Sequence, residues 1–271
     1  MRICFKILLC LALLACGNKI EDKNKNENGG PASEYGIDEL IENDPDNNEL
    51  YFKRANQSYQ SGNFEGALSD LEKAMRLDST VEDYYFLLAD VFTESGNLTN
   101  ARLTTDAAMI KFPYNADFPL KAAKIEIYRR NYEEGIKLLD NVLKLEISYP
   151  EAYFWKGILF KEIGDTNKSI SNFQTTVEQD PDFYDAYMQL GLLHSAKKNN
   201  FALSYFDNAR KVRPEKLEPV YFKGVYYQKI GENKMAVKTF KEVVGEDPQN
   251  AKAHFKIGIN YYQMDSIEKA Y

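Results

Sequence analysis

Three cysteines, two histidines and a single tryptophan limit the chemistry open to this sequence. A thiolate could act as a nucleophile or bind zinc, and an imidazole could carry a proton or ligate a metal. The spacing supports neither. His194 and His254 stand far apart, and no H-E-x-x-H, G-x-S-x-G or phosphate-loop motif is present. Acidic residues are plentiful, but they follow expected helix starts and exposed faces instead of forming a desolvated pair. No enzyme activity, cofactor or metal site is therefore expected. The triplets at Asn56, Asn97 and Asn167 read as turn and surface residues. What remains is contact chemistry: aromatic and apolar side chains that could grip a partner.

The elements that would carry those side chains follow from a period. Gly62 and Gly96 lie 34 residues apart, and Gly164 and Gly231 fall close to the same register. A fixed period of that length marks a stacked array of helical pairs. Units then span 48–81, 82–115, 116–149, 150–183, 184–216, 217–250 and 251–271, the last incomplete. Position 8 reads Ala55, Ala89, Ala123, Gly157, Gly191, Gly224 and Gly258, and position 20 reads Ala67, Ala101, Gly135, Ser169, Ala202, Ala236 and Ala270. Short side chains let two helices approach closely. Position 24 is bulky in Leu71, Leu139, Phe173, Phe206 and Phe240, with Thr105 the exception. Pro113, Pro181, Pro214 and Pro248 close units, because proline cannot continue a helix. Ile37, Leu40 and Ile41 share one helical face, so 36–47 reads as a short capping helix.

This pattern resembles the tetratricopeptide repeat: an aromatic at position 4 (Tyr51, Tyr85, Tyr153, Tyr187), small residues at 8 and 20, glycine at 15, an aromatic at 17 (Phe64, Tyr132), a bulky residue at 24 and proline at 32. The resemblance implies an all-α, right-handed α-solenoid. It also implies that positions 2, 5, 6, 9, 12 and 13 line an inner groove. Position 9 changes from Asn56, Asp90 and Lys124 to Ile158, Leu192, Val225 and Ile259. Around that apolar half stand Phe154, Trp155, Met188, Tyr221, Phe222, Phe255 and Tyr262. These eleven residues are the expected partner-binding groove, with Trp155 and the position 9 residues free either to bind or to pack against the next unit. Position 5 is often partly core in such repeats, so Phe154, Met188, Tyr221 and Phe255 are the weaker candidates. Position 2 is acidic in Glu49, Asp83, Asp117, Glu151, Asp185 and Glu218. Acids near a helix N-terminus favour the dipole, the simpler reading; a ladder that steers a basic ligand is the sharper one. Lys53, Asn56, Lys121 and Lys124 give fragments of a carboxylate clamp, but Leu87 and Asp90 break it. Unit three departs most, with Pro119, Glu126 and Arg130 in unusual places. Repeat drift is the simpler account, and a softer joint the alternative.

Residues 1–15 carry Arg2, Lys6 and an apolar run, Ile7–Ala15, too short to span a bilayer. Leu13-Leu14-Ala15-Cys16 resembles the bacterial lipobox. The resemblance implies cleavage before Cys16 and acylation of its thiol. Cys4 and Cys10 then leave with the signal, and the body keeps no free thiol. Residues 16–35 read as a flexible tether, rich in Asn, Lys, Glu and Gly. Loss of Arg2 and Lys6, with no acid, takes the net charge from −7 to −9. That disfavours nucleic acid and anionic lipid surfaces.

The expected protein is a non-catalytic scaffold, anchored by lipid in the bacterial envelope, most simply at the outer membrane, and holding a peptide or protein partner. Similar repeat lipoproteins serve pilus assembly, outer-membrane protein assembly and cell-wall hydrolase recruitment, and the residues select none of these. Self-association through an open C-terminal face around Tyr261, Ile267 and Ala270 is an alternative. An envelope glycan sensor is a weaker one.

Overall fold

Glycine in the left-handed region ends most first helices of the units and starts the next turn. The computed structural model describes residues 36–264. Gly62, Gly96, Gly164 and Gly231 have φ of 76°, 80°, 90° and 83°, a conformation that glycine adopts without steric cost. The residue that follows is polar: Asn63, Asn97 and Asp165 each accept from a backbone N–H three residues on, at 3.1 Å. One dipeptide thus ends a helix and caps its successor. In units three and five, Arg130 (φ 60°) and Lys198 (φ 54°) take the glycine's place.

Fourteen α-helices and no strand result among the described residues. They are α1 (Ile37–Asn43), α2 (Asn48–Gln60), α3 (Phe64–Leu77), α4 (Glu82–Glu94), α5 (Leu98–Lys111), α6 (Asp117–Tyr128) and α7 (Tyr132–Leu145). Then follow α8 (Pro150–Ile163), α9 (Thr166–Gln179), α10 (Tyr184–Ala196), α11 (Phe201–Val212), α12 (Glu218–Lys229), α13 (Asn233–Glu246) and α14 (Ala251–Gln263). From α2 onward they form helix pairs. Each helix packs chiefly on its neighbours in sequence, and α2–α4, α6–α8 and α10–α12 also touch. The fold is the expected all-α solenoid. The signal segment, Cys16, the tether, and the stacking-face residues Ile267 and Ala270 lie outside the described residues.

Within a pair, the short residue at position 8 receives the bulky one at position 24. A Cβ built on Gly157, Gly191 or Gly224 would lie 2.6, 2.5 or 2.7 Å from the ring of Phe173, Phe206 or Phe240. No real Cβ tolerates that approach, so these three glycines make room for three buried phenylalanines. Where position 8 is Ala55, Ala89 or Ala123, position 24 is the smaller Leu71, Thr105 or Leu139. Ser169 adds a tie at position 20, its hydroxyl donating to Gly157 O at 2.8 Å.

Position 4 ties four of the units to the turn before them. The hydroxyls of Tyr51, Tyr85 and Tyr153 donate to the carbonyls of Pro45, Ser79 and Ile147 at 3.0, 3.2 and 3.5 Å. In the last unit His254 fills the same role, with Nε2 3.0 Å from Pro248 O. That histidine is a turn clasp.

Unit three carries a buried charge cluster at its joint with unit two. Glu126 is buried, and its Oε1 accepts from Arg102 Nε at 3.1 Å and Arg129 Nη1 at 2.8 Å. Its Oε2 accepts from Asn131 Nδ2 at 2.8 Å, and Asn131 makes no side-chain cap on α7. Pro119 sits in the first turn of α6, where its missing N–H is harmless. At the other end Arg54 joins α1 to the first pair, reaching Asp38 at 2.6 Å and both oxygens of Asp70 at 2.7 and 2.8 Å.

Candidate partner-binding groove

The first helices of units two to four enclose a cleft of about 990 Å³. Its walls come from the groove positions: Asp83, Phe86 and Asp90 on α4, Lys121 and Lys124 on α6, and Glu151 on α8. Thr93, Glu94 and Tyr128 bound one end. Helical spacing brings these side chains to one face of each helix, and the repeat places that face on three successive helices.

Much of the charge is cross-linked between units. Lys121 Nζ donates to Asp90 at 2.5 Å, and Lys124 Nζ to Glu151 at 2.6 Å. Each ammonium also faces an aromatic ring: Lys121 lies 5.6 Å from the centroid of Phe86, and Lys124 lies 5.3 Å from Trp155. Trp155 Nε1 donates to the same Glu151 oxygen at 3.2 Å. Two of the three lysines of the incomplete clamp, Lys121 and Lys124, are therefore already engaged by acids. Tyr59 donates its hydroxyl to Glu94 at 2.5 Å, and Tyr149 donates to Asp117. Burial first, then the neighbouring carboxylate, pushes both phenols well above their ordinary range. They stay protonated donors that hold the acids in place.

The expected apolar half is more deeply committed to packing. Met188 is 8% exposed and belongs to the core beside Phe206, so it offers no groove surface, a correction to its place in the expected set. Its position 5 side chain points between helices. Phe154 packs among Phe173, Phe183 and Trp155, at 5.5, 4.9 and 5.9 Å between ring centroids. Tyr221 packs on Phe240 and Phe222, and Phe222 stacks on Phe206. Ile158, Leu192 and Val225 are half-buried against the cores of their units, and Ile259 is half-buried on α14. Phe255 and Tyr262 are 69% and 68% exposed. Trp155 alone of the set reaches Lys124 and Glu151 at the edge of the cleft.

His194 is buried between Phe201 and Tyr205, with neither ring nitrogen hydrogen-bonded. Burial, helped by Lys197, lowers its pKa from the usual histidine value. It is a core residue. Among the described residues no group of His, Cys, Asp and Glu side chains is arranged to hold a metal ion, and no helix is long and apolar enough to cross a membrane. The arrangement supplies shape, charge and aromatic faces.

Models of the tetratricopeptide repeat match residues 52–116, 151–182 and 217–250. The chain carries tetratricopeptide repeats. A tetratricopeptide-repeat protein of Methanocaldococcus jannaschii is 24% identical over 220 residues, covering 76% of this chain and 38% of that protein. The protein O-mannosyl-transferase TMTC1 of Homo sapiens is 23% identical over 162 residues, 58% of this chain and 18% of the transferase. The chain thus spans well under half of either relative. Among solved structures, PilW, a type IV pilus biogenesis factor, superposes with a TM-score of 0.63 at 15% identity, covering 78% of this chain and 97% of that one. The C-terminal part of a repeat protein from Cytophaga hutchinsonii gives 0.62 at 17%, covering 82% and 92%. At such identity the likeness is one of fold.

Which residues line the cleft was only partly legible. The acids at position 2 were visible in sequence, as was the groove register. The tryptophan and the apolar position 9 residues drew attention to units four to seven. No sequence signal distinguished them from side chains that pack between adjacent first helices.

Proposed function

We propose that this protein is a non-catalytic scaffold whose tetratricopeptide inner face holds a peptide or protein segment. The cleft across α4, α6 and α8 carries the reading: three consecutive units present polar and aromatic side chains to one concave space of about 990 Å³. Residues 1–16 support a second part of the reading, that Cys16 is acylated and the array is tethered in the bacterial cell envelope, at the outer membrane. A relative of fold, PilW, is described as a pilus biogenesis factor, which is consistent with an assembly or adaptor role.

Site-specific photo-crosslinking in cells tests the binding reading. A photoreactive residue at Tyr128, in the cleft, should give a discrete adduct, and one at Ile110, 83% exposed on α5, should not. Equal labelling from both positions would refute a groove-specific partner. Cys16→Ser should abolish incorporation of labelled fatty acid; retained label would refute the anchor.

A further inference from the structure

The cleft is short of positive charge. Asp83, Asp90, Glu94, Asp117 and Glu151 face only Lys121 and Lys124, a net of −3. Two of the five acids are neutralised by those lysines. Glu94 and Asp117 are held by neutral phenols, Tyr59 and Tyr149, and Asp83 is exposed with no cation beside it. A hydroxyl occupies one lone pair of a carboxylate and leaves the others open.

The same face already shows how it holds an ammonium group. Lys121 sits between Asp90 and the Phe86 ring, and Lys124 between Glu151 and the Trp155 ring. Each is a carboxylate paired with an aromatic face, the arrangement that favours a cation twice over. Tyr128, 45% exposed, and Leu98 extend the apolar lining beside the uncompensated acids.

We propose that the cleft holds an extended peptide segment bearing lysine or arginine side chains, with Asp83, Glu94 and Asp117 as the acids that receive them. This rests on the reading of the inner face as the partner site and names the chemistry of the partner. The position 2 acids then serve the ligand as well as the helix dipole. A peptide fits better than a free polyamine because Phe86, Leu98 and Tyr128 offer apolar surface that a polyamine would leave unused.

The experiment uses the full chain in detergent and three labelled peptides of equal length: alternating Lys–Ala, alternating Glu–Ala, and Ser–Ala. Binding is read by anisotropy and by the emission of Trp155, the sole tryptophan, at the cleft edge. The Lys–Ala peptide should bind, shift that emission and weaken as salt is raised. The triple variant Asp83→Asn, Glu94→Gln, Asp117→Asn should weaken it roughly tenfold. A control with the same charge change elsewhere, Glu178→Gln, Glu215→Gln, Glu242→Gln, should not. All six acids are on or near the surface, and circular dichroism checks that both variants keep their helicity. Equal weakening by the two variants would overturn the proposal. Preference for the Ser–Ala or Glu–Ala peptide, with the Trp155 shift, would overturn basic recognition and leave the groove standing. Failure of all three to bind would overturn both.

Discussion

Replacing Gly191 by alanine tests the packing rule directly, because two effects of known size oppose one another. Glycine inside a helix is about 1 kcal/mol less favourable than alanine. On propensity alone Gly191→Ala would stabilise α10 by about that amount. The new Cβ, however, would lie 2.5 Å from Phe206 Cε1 and 2.6 Å from Cδ1. Phe206 is 1% exposed and has no solvent to move into. Overpacking of this kind costs about 1–3 kcal/mol, so the net effect should be a loss reaching roughly 2 kcal/mol. Phe206→Leu alone removes ring contacts and should lose about 1–2 kcal/mol. Together the two changes recreate the pairing of Ala55 with Leu71 and of Ala123 with Leu139, which share core clusters. The double variant should therefore be better than the sum, with a coupling of about 1–3 kcal/mol. Urea unfolding followed by circular dichroism on all four proteins closes the cycle. Additive losses, or a single Gly191→Ala variant about 1 kcal/mol more stable, would refute the idea that glycine at position 8 exists to admit phenylalanine at position 24.

Arg130→Gly should raise stability by about 0.5–1 kcal/mol, read as a higher Tm, since Arg130 holds a φ of 60° that L side chains disfavour. Glu126→Ala should lose about 1.5–3 kcal/mol, because it removes a charge-assisted acceptor from Arg129 and from the mostly buried Arg102, which keeps only Asp106 and the longer Glu134 contact; a near-neutral result in urea unfolding would show that the cluster does not stabilise unit three. His194 has a folded pKa below its unfolded one. The unfolded chain then takes up the proton first, so stability is full above about pH 6.5 and falls as pH drops toward the folded pKa. His194→Phe should flatten that acid limb, and an unchanged pH profile of Tm would contradict its burial as a neutral ring.

The fold was legible because its determinants are local and repeated. Gly62, Gly96, Gly164 and Gly231 announce the period, Pro113, Pro181, Pro214 and Pro248 announce unit ends, and Ala, Gly or Ser at two fixed positions announces a close helix contact; the caps made by Asn63, Asn97 and Asp165 emerged only from the structure. The functional face was less legible for a physical reason. In a solenoid, an aromatic on a first helix meets either a ligand or the helices and turns packed beside it. Phe154 met Phe173 on α9, Tyr221 met Phe240 on α13, and Met188 was buried in the core. Glu126 was visible as an anomaly, but its meaning depended on Arg102, a residue 24 positions away on another helix. The positions of Arg130 and Lys198 showed that glycine is preferred at that turn without being obligatory.

Nearly every contact in this molecule joins helices adjacent in sequence, and that governs how it bears mechanical load. No strand or distant helix clamps the two ends to one another among the described residues. A pull on one end meets a series of similar joints and releases them one pair after another. The resistance is uneven. The joint between the second and third units carries Glu126 and Arg102, and it should hold longest, dividing an extension trace into two stages.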